Sequence, residues 1–160
     1  MLTQFWPLSG ASVSSIQFET LRDANWDDLE AVKDVVSAED YKRAHFVLGE
    51  KERVLAVCDA LVAGDYETVG QKMYETHHGL SKEYEVSCEE LDFLNDVAKE
   101  NGVTGSRIMG GGFGGCTINL VKDNVYDKFI ADVTEKFNAK YGHAPEVYPV
   151  VISDGSHKVC

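Results

Sequence analysis

RIMGGGFGGCTINLV, residues 107–121, decides how this chain is read. Gly110, Gly112 and Gly115 stand at the spacing G-x-G-x-x-G, the fingerprint of a dinucleotide-binding turn. That fingerprint needs a strand, then the glycines, then a helix whose N-terminus faces the pyrophosphate. Here the glycines run into CTINLV, where Thr117 and Asn119 alternate with Ile118 and Leu120, which predicts a strand. The next helix signal comes only at Asn124. Asp132 and Glu135, near the distance of a ribose-binding acid, fall inside that helix. The stretch therefore reads as a glycine-rich connection between two strands, not as a dinucleotide site.

Five glycines in that connection, Gly110, Gly111, Gly112, Gly114 and Gly115, exceed the one or two that a plain hairpin uses. Each costs backbone entropy on folding. The surplus predicts positive φ at several positions, or an approach so close that no Cβ fits. Two uses follow. Consecutive exposed N–H groups form an anion-binding nest, or the loop packs on another backbone and touches no ligand. The residues alone leave both open.

Upstream, helical periodicity dominates. A helix is expected from about Asn25, with Asp27 and Asp28 in its first turn, where carboxylates favour the dipole. The strongest helix runs from about Ala38 to Gly64, with Ala44, Val47, Leu48, Val54, Leu55, Cys58, Leu61 and Val62 as its apolar stripe. Gly64 suits the residue just past a helix end. Asp65 caps a third helix striped with Tyr66, Val69, Met73, His77 and Leu80, and the short link predicts an antiparallel helix pair. Ser87 and Glu90 form an S-x-x-E capping box for a fourth helix, with Leu91, Leu94, Val97 and Ala98 inside and Asn101–Gly102 at its end.

Downstream, Asn124 caps a helix carrying Tyr126, Phe129, Ile130, Val133, Phe137 and Tyr141, closed by Gly142. EVYPVVI, residues 146–152, then reads as a strand, with Pro149 marking an edge or bulge. A last short strand is expected over Ser156–Cys160. The fold class is α+β: a small, mostly antiparallel sheet of about four strands with helices packed on one face. Residues 1–20 read as a loose N-terminal segment and 21–160 as one domain.

The 160 residues carry 15 Lys and Arg against 27 Asp and Glu, a formal charge of −12, which repels nucleic acid and anionic lipid. No long apolar run predicts a membrane span, and Met1–Gly10 lacks the character of a secretory signal. Cys58, Cys88, Cys116 and Cys160 form no C-x-x-C pair, which points to reduced thiols, a cytoplasmic location and no metal centre. His77 and His78 are adjacent on a helix and diverge, so one packed and one exposed histidine is expected. Cys116 reads as a small buried apolar group with no neighbouring base.

GSRIMGGGFGGCTINLV closely resembles the third signature motif of the GHMP kinases, in its galactokinase form. YEVSCEELDFL, residues 84–94, resembles the segment before it. LRDANWDDLEAVKD, the run from Lys51 to Leu80, and the ending SDGSHKVC match further segments in order, so the resemblance spans about Leu21 to Cys160. It implies phosphoryl transfer from ATP, with Mg²⁺, to the anomeric hydroxyl of galactose by an enzyme whose active site lies between two domains. This chain resembles the C-terminal one. No segment resembles the family's N-terminal sugar signature, its serine-rich phosphate loop or the aspartate facing the sugar hydroxyl.

The resemblance therefore implies an N-terminal kinase domain as partner, on the same or a separate polypeptide, with ATP and Mg²⁺ held by the complete enzyme and none by this chain alone. No catalytic residue and no metal ligand is assigned here. Gly110, Gly111, Gly112, Gly114 and Gly115 would border the phosphate loop, with Arg107 either neutralising phosphate or pairing locally. Met109 stands where the family commonly has a small hydroxyl residue, and a thioether donates no hydrogen bond. The chain alone is expected to be inactive and to self-associate through the uncovered interface. The alternative is a galactose- or ATP-responsive binding module of the same fold without catalysis.

Overall fold

The computed structural model describes residues 20–155 and 158. Five helices and one two-stranded ribbon follow in the order α1 (Trp26–Ala31), α2 (Ala38–Ala63), α3 (Tyr66–Lys82), α4 (Glu89–Glu100), β1 (Gly105–Met109), β2 (Cys116–Leu120) and α5 (Asp123–Tyr141).

Most helix ends are set by neighbours in the chain. Asn25 accepts from the N–H groups of Asp27 and Asp28, and the Asp28 carboxylate returns to the Asn25 N–H, a closed capping box. Asp65 accepts from Thr68 N–H at 3.1 Å, and Gly64 before it takes the left-handed conformation that ends α2. Gly142 does the same for α5. Two expected caps are not formed. Cys88, not Ser87, is the first residue of the α4 boundary and makes no side-chain cap, because the Ser87 hydroxyl is drawn to Asp92. Helix α5 starts one residue before Asn124, at Asp123.

α2 and α3 form the expected antiparallel pair, but most of the expected α2 stripe is not buried. Of that stripe Ala44 and Leu48 are buried and Val47 is partly covered, whereas Val54, Leu55, Cys58, Leu61 and Val62 face solvent, Val62 at 92% exposure; Phe46 and Ala60, outside the stripe, are buried instead. One core gathers Ala24, Leu29 and Val32 against Ala44 and Leu48. A second joins Val97 and Ala98 of α4, Val103, and Phe129 and Val133 of α5.

The ribbon is antiparallel, with Ser106 opposite Asn119, Arg107 opposite Ile118, Ile108 opposite Thr117 and Met109 opposite Cys116. Opposed residues share a face. The buried side of β1, Ser106 and Ile108, therefore carries Thr117 and Asn119 across from it. Ile118 is exposed, and Cys116, expected to be buried, is only half-buried. The Asn95 amide of α4 donates to the Ser106 carbonyl at 2.8 Å, tying helix to ribbon.

β1 meets α3 without side chains between them. A Cβ on Gly70 would come within 1.9 Å of the Thr104 carbonyl oxygen, and one on Gly105 within 2.5 Å of the Gly70 Cα. The Tyr74 hydroxyl closes the same contact by donating to the Val103 carbonyl at 2.8 Å.

The fold is α+β, dominated by helices, but the sheet has two strands among the described residues rather than about four. Residues 146–152 form no ladder; Val151 and Ile152 are 91% and 95% exposed. A strand exists only where a neighbour completes its hydrogen bonds, and no described segment does so here. The strand expected at Ser156–Cys160, and the N-terminal segment 1–19, lie outside the described residues apart from Lys158. Among the described residues no helix is long and apolar enough to cross a membrane.

Candidate functional site

The glycine connection is the tip of the β1–β2 ribbon. Its φ angles are +88° at Gly110, +82° at Gly112, +59° at Phe113, +127° at Gly114 and +94° at Gly115. Both geometries expected from the glycine surplus, positive φ and a close backbone approach, occur in one loop. Gly112 is a close approach: a Cβ there would sit 2.1 Å from the Val86 carbonyl oxygen. Gly110, Gly111, Gly114 and Gly115 have no atom within 4 Å of where a Cβ would be, so their backbone faces open space.

One N–H of the turn is already used. Phe113 donates to the Val86 carbonyl at 2.7 Å, which folds the loop back onto the connection between α3 and α4. Phe113 is 76% exposed, and Met109 and Ile118 of the ribbon are exposed as well. An open, glycine-lined backbone flanked by apolar side chains suits a loop that borders another surface or an anion.

Arg107 lies on β1 two residues before the loop and is half-buried. Its guanidinium donates to the Ile108 carbonyl at 3.0 Å. Among the described residues it has no carboxylate partner, so the local pairing is with backbone instead. Of the six residues singled out from the sequence, the five glycines form the ribbon tip and Arg107 stands in the middle of β1.

The residues that hold this end were not singled out. Val86 carries the contact through its carbonyl, which no side-chain pattern reveals. The connection around it is fastened by Asp92 of α4. Asp92 accepts from the Ser81 hydroxyl at 2.8 Å and from the Ser87 hydroxyl, and faces His77 Nε2 at 3.2 Å and Lys82 Nζ at 3.5 Å. Burial pushes the Asp92 carboxyl up, but the Ser87 and Ser81 hydrogen bonds, with Lys82 and His77, outweigh it and hold the group below the usual carboxylate range. His77 is buried while His78 is exposed, the split expected from their spacing. The one available signal was the S-x-x-E pattern at Ser87, which pointed to the right serine and the wrong acid.

Two other features carry no chemistry of this kind. An open depression of about 780 Å³ is lined by Arg53, Gln71, His78 and Lys99, away from the glycine loop. Among the described residues no group of three or more His, Cys, Asp or Glu is placed to hold a metal ion. Cys58, Cys88 and Cys116 are free thiols.

Residues 58–139 match the family described as GHMP kinases C terminal. The chain is similar to the galactokinase of Bos taurus, 42% identical over 121 residues, which covers 75% of this chain and 31% of that protein. It is 40% identical to the galactokinase of Homo sapiens over 143 residues, covering 89% of this chain and 36% of that protein. Among solved structures, the Lactococcus lactis galactokinase complexed with galactose superposes with a TM-score of 0.74 at 30% identity, over 81% of this chain and 34% of that one. The chain thus spans about a third of the length of the relatives it matches.

Proposed function

This chain belongs to the GHMP kinase C-terminal family, and from that premise we propose that residues 21–160 are the C-terminal domain of a galactokinase-like sugar kinase. In this reading the complete enzyme transfers the terminal phosphoryl group of ATP to galactose, giving galactose 1-phosphate. The observation that carries it is the ribbon tip: four glycines whose backbone faces open space, on a domain similar over most of its length to galactokinases.

Phosphoryl transfer needs a phosphate cradle, a metal site and an oriented acceptor. The glycine backbone fits the outer wall of such a cradle, with Arg107 behind it. In this reading the ligands for Mg²⁺, like the acceptor-facing residues, come from the remaining two-thirds of the kinase. The chain alone is inactive in this reading. It works in the cytoplasm, where ATP and reduced thiols are available. Without its partner domain it self-associates through exposed apolar residues such as Phe113, Leu55 and Val62.

The test mixes this chain with a polypeptide spanning the other two-thirds of a galactokinase and assays galactose- and ATP-dependent turnover. Turnover in the mixture and none from either part supports the kinase reading. Galactose or ATP binding by this chain alone, with no turnover in the mixture, favours the non-catalytic binding module. Neither binding nor turnover overturns both.

A further inference from the structure

The connection between α3 and α4, residues 83–88, makes four fixed contacts in a short span. Its Val86 N–H donates to the Leu80 carbonyl at 2.9 Å, and its Val86 carbonyl takes the Phe113 N–H at 2.7 Å. Gly112 lies flush against the same carbonyl. One residue further, the Ser87 hydroxyl is held by Asp92, which also takes Ser81 of α3. Among the described residues the two non-glycine positions with positive φ, both at +59°, are Phe113, the donor of this bond, and Glu85, the neighbour of its acceptor. Such conformations are strained and persist only where surrounding contacts impose them.

We propose that Asp92 is a positioning residue for the glycine loop: by anchoring Ser87 it fixes the Val86 carbonyl, and the carbonyl in turn sets the shape of the Gly110–Gly115 turn. The carboxylate is suited to this because it collects hydroxyls from both sides of the connection. Ser81 belongs to the rigid end of α3, and Ser87 to the connection itself. Losing the Ser87 link frees the connection to move, while losing the Ser81 link leaves it anchored. The coupling between Asp92 and the loop is a property of this chain. Its consequence for ATP rests on the kinase reading.

The experiment follows backbone amide exchange of the 160-residue chain by NMR. In Ser87→Ala, the Phe113 amide is expected to exchange about tenfold faster, the size of one charge-assisted hydrogen bond, while Ile108 of β1 and Phe129 of α5 keep their rates. Asp92→Ala gives the same loop signature, with added loss of overall stability because buried His77 loses its partner. Ser87→Thr, which retains the hydroxyl, restores protection, and Ser81→Ala leaves Phe113 close to wild type. An unchanged Phe113 rate in Ser87→Ala, or a rise matched by Ile108 and Phe129, overturns the proposal even if Asp92→Ala fails to fold. In the reconstituted enzyme Ser87→Ala is expected to raise KM for ATP several-fold with KM for galactose unchanged. Absence of turnover in the wild-type mixture defeats the kinase reading alone, because the exchange measurement still decides the coupling.

Discussion

The Val86 carbonyl accepts the Phe113 N–H at 2.7 Å, and a Cβ on the adjacent Gly112 would intrude to 2.1 Å of that oxygen. The loop tip is therefore docked at one point and free on both sides of it. Gly112→Ala should break the docking, since the methyl meets backbone and φ is +82°. The expected cost is about 1–3 kcal/mol by urea unfolding. Gly114→Ala has only the φ of +127° against it and no clash, so it should leave the Phe113 amide protected. Equal loss of protection in both variants would contradict the single docking point.

Gly70 lies inside α3, where alanine ordinarily stabilises a helix by about 0.5–1 kcal/mol over glycine. Here the sign should reverse. The added methyl would lie 1.9 Å from the Thr104 carbonyl oxygen, backbone that cannot step aside without moving β1. Gly70→Ala is expected to lower the unfolding free energy by about 1–3 kcal/mol, the range for overpacked sites. A stabilised variant in urea titration would show that α3 and β1 do not touch here.

His77 is 5% exposed, and its Nδ1 has no hydrogen-bond partner among the described residues. Burial lowers its pKa, outweighing the opposing pull of Asp92 and Asp96, and Lys82 adds to the lowering. The unfolded chain, with an ordinary histidine pKa of about 6.5, takes up a proton that the folded chain refuses. The stability from neutral His77 is thus fully present above about pH 6.5 and is lost as pH falls from there through the lowered folded-state value. Asp92, held below its ordinary value, adds a second loss at more acid pH. Urea unfolding at pH 7.5 and pH 5.5 should show the decline in the wild type and a smaller one in His77→Gln. An identical decline in both would assign it elsewhere.

Arg107 gives its guanidinium to the Ile108 carbonyl and has no carboxylate partner among the described residues. Arg107→Gln should therefore change stability little, within about 1 kcal/mol for one exchanged hydrogen bond. In the reconstituted kinase, a rise in KM for ATP at unchanged stability would mark a phosphate-facing role. A stability loss well beyond that range would mark a structural one.

Leu55 and Val62 of α2 face solvent, Val62 at 92%. Sedimentation of the wild-type chain should show mass rising with concentration, despite the net charge of −12. The double change Leu55→Ser, Val62→Ser should weaken that association with a stability change of about 0.5 kcal/mol or less per site. A wild-type chain that stays monomeric at high concentration would remove α2 as an association surface.

What was legible in the sequence is what neighbours in the chain decide. Asn25, Gly64, Asp65 and Gly142 mark helix ends because caps are made with residues two to four places away. The strand after Gly115 followed from alternation and, with the next helix signal delayed to Asn124, argued against a dinucleotide turn. What only the tertiary structure decided are relations between distant segments. The outer half of the α2 stripe looks as apolar as the inner half, yet it is exposed because no described element covers it. Residues 146–152 have strand character, but a ladder needs a partner and none is paired with them. Ser87 reads as a cap until Asp92, five residues on, competes for its hydroxyl. The Val86–Phe113 bond joins backbone atoms far apart in the chain, and backbone groups are the same at every position. A one-dimensional pattern carries periodicity and short-range capping; which surface meets which depends on the packing of whole elements, and here that packing places the glycine turn.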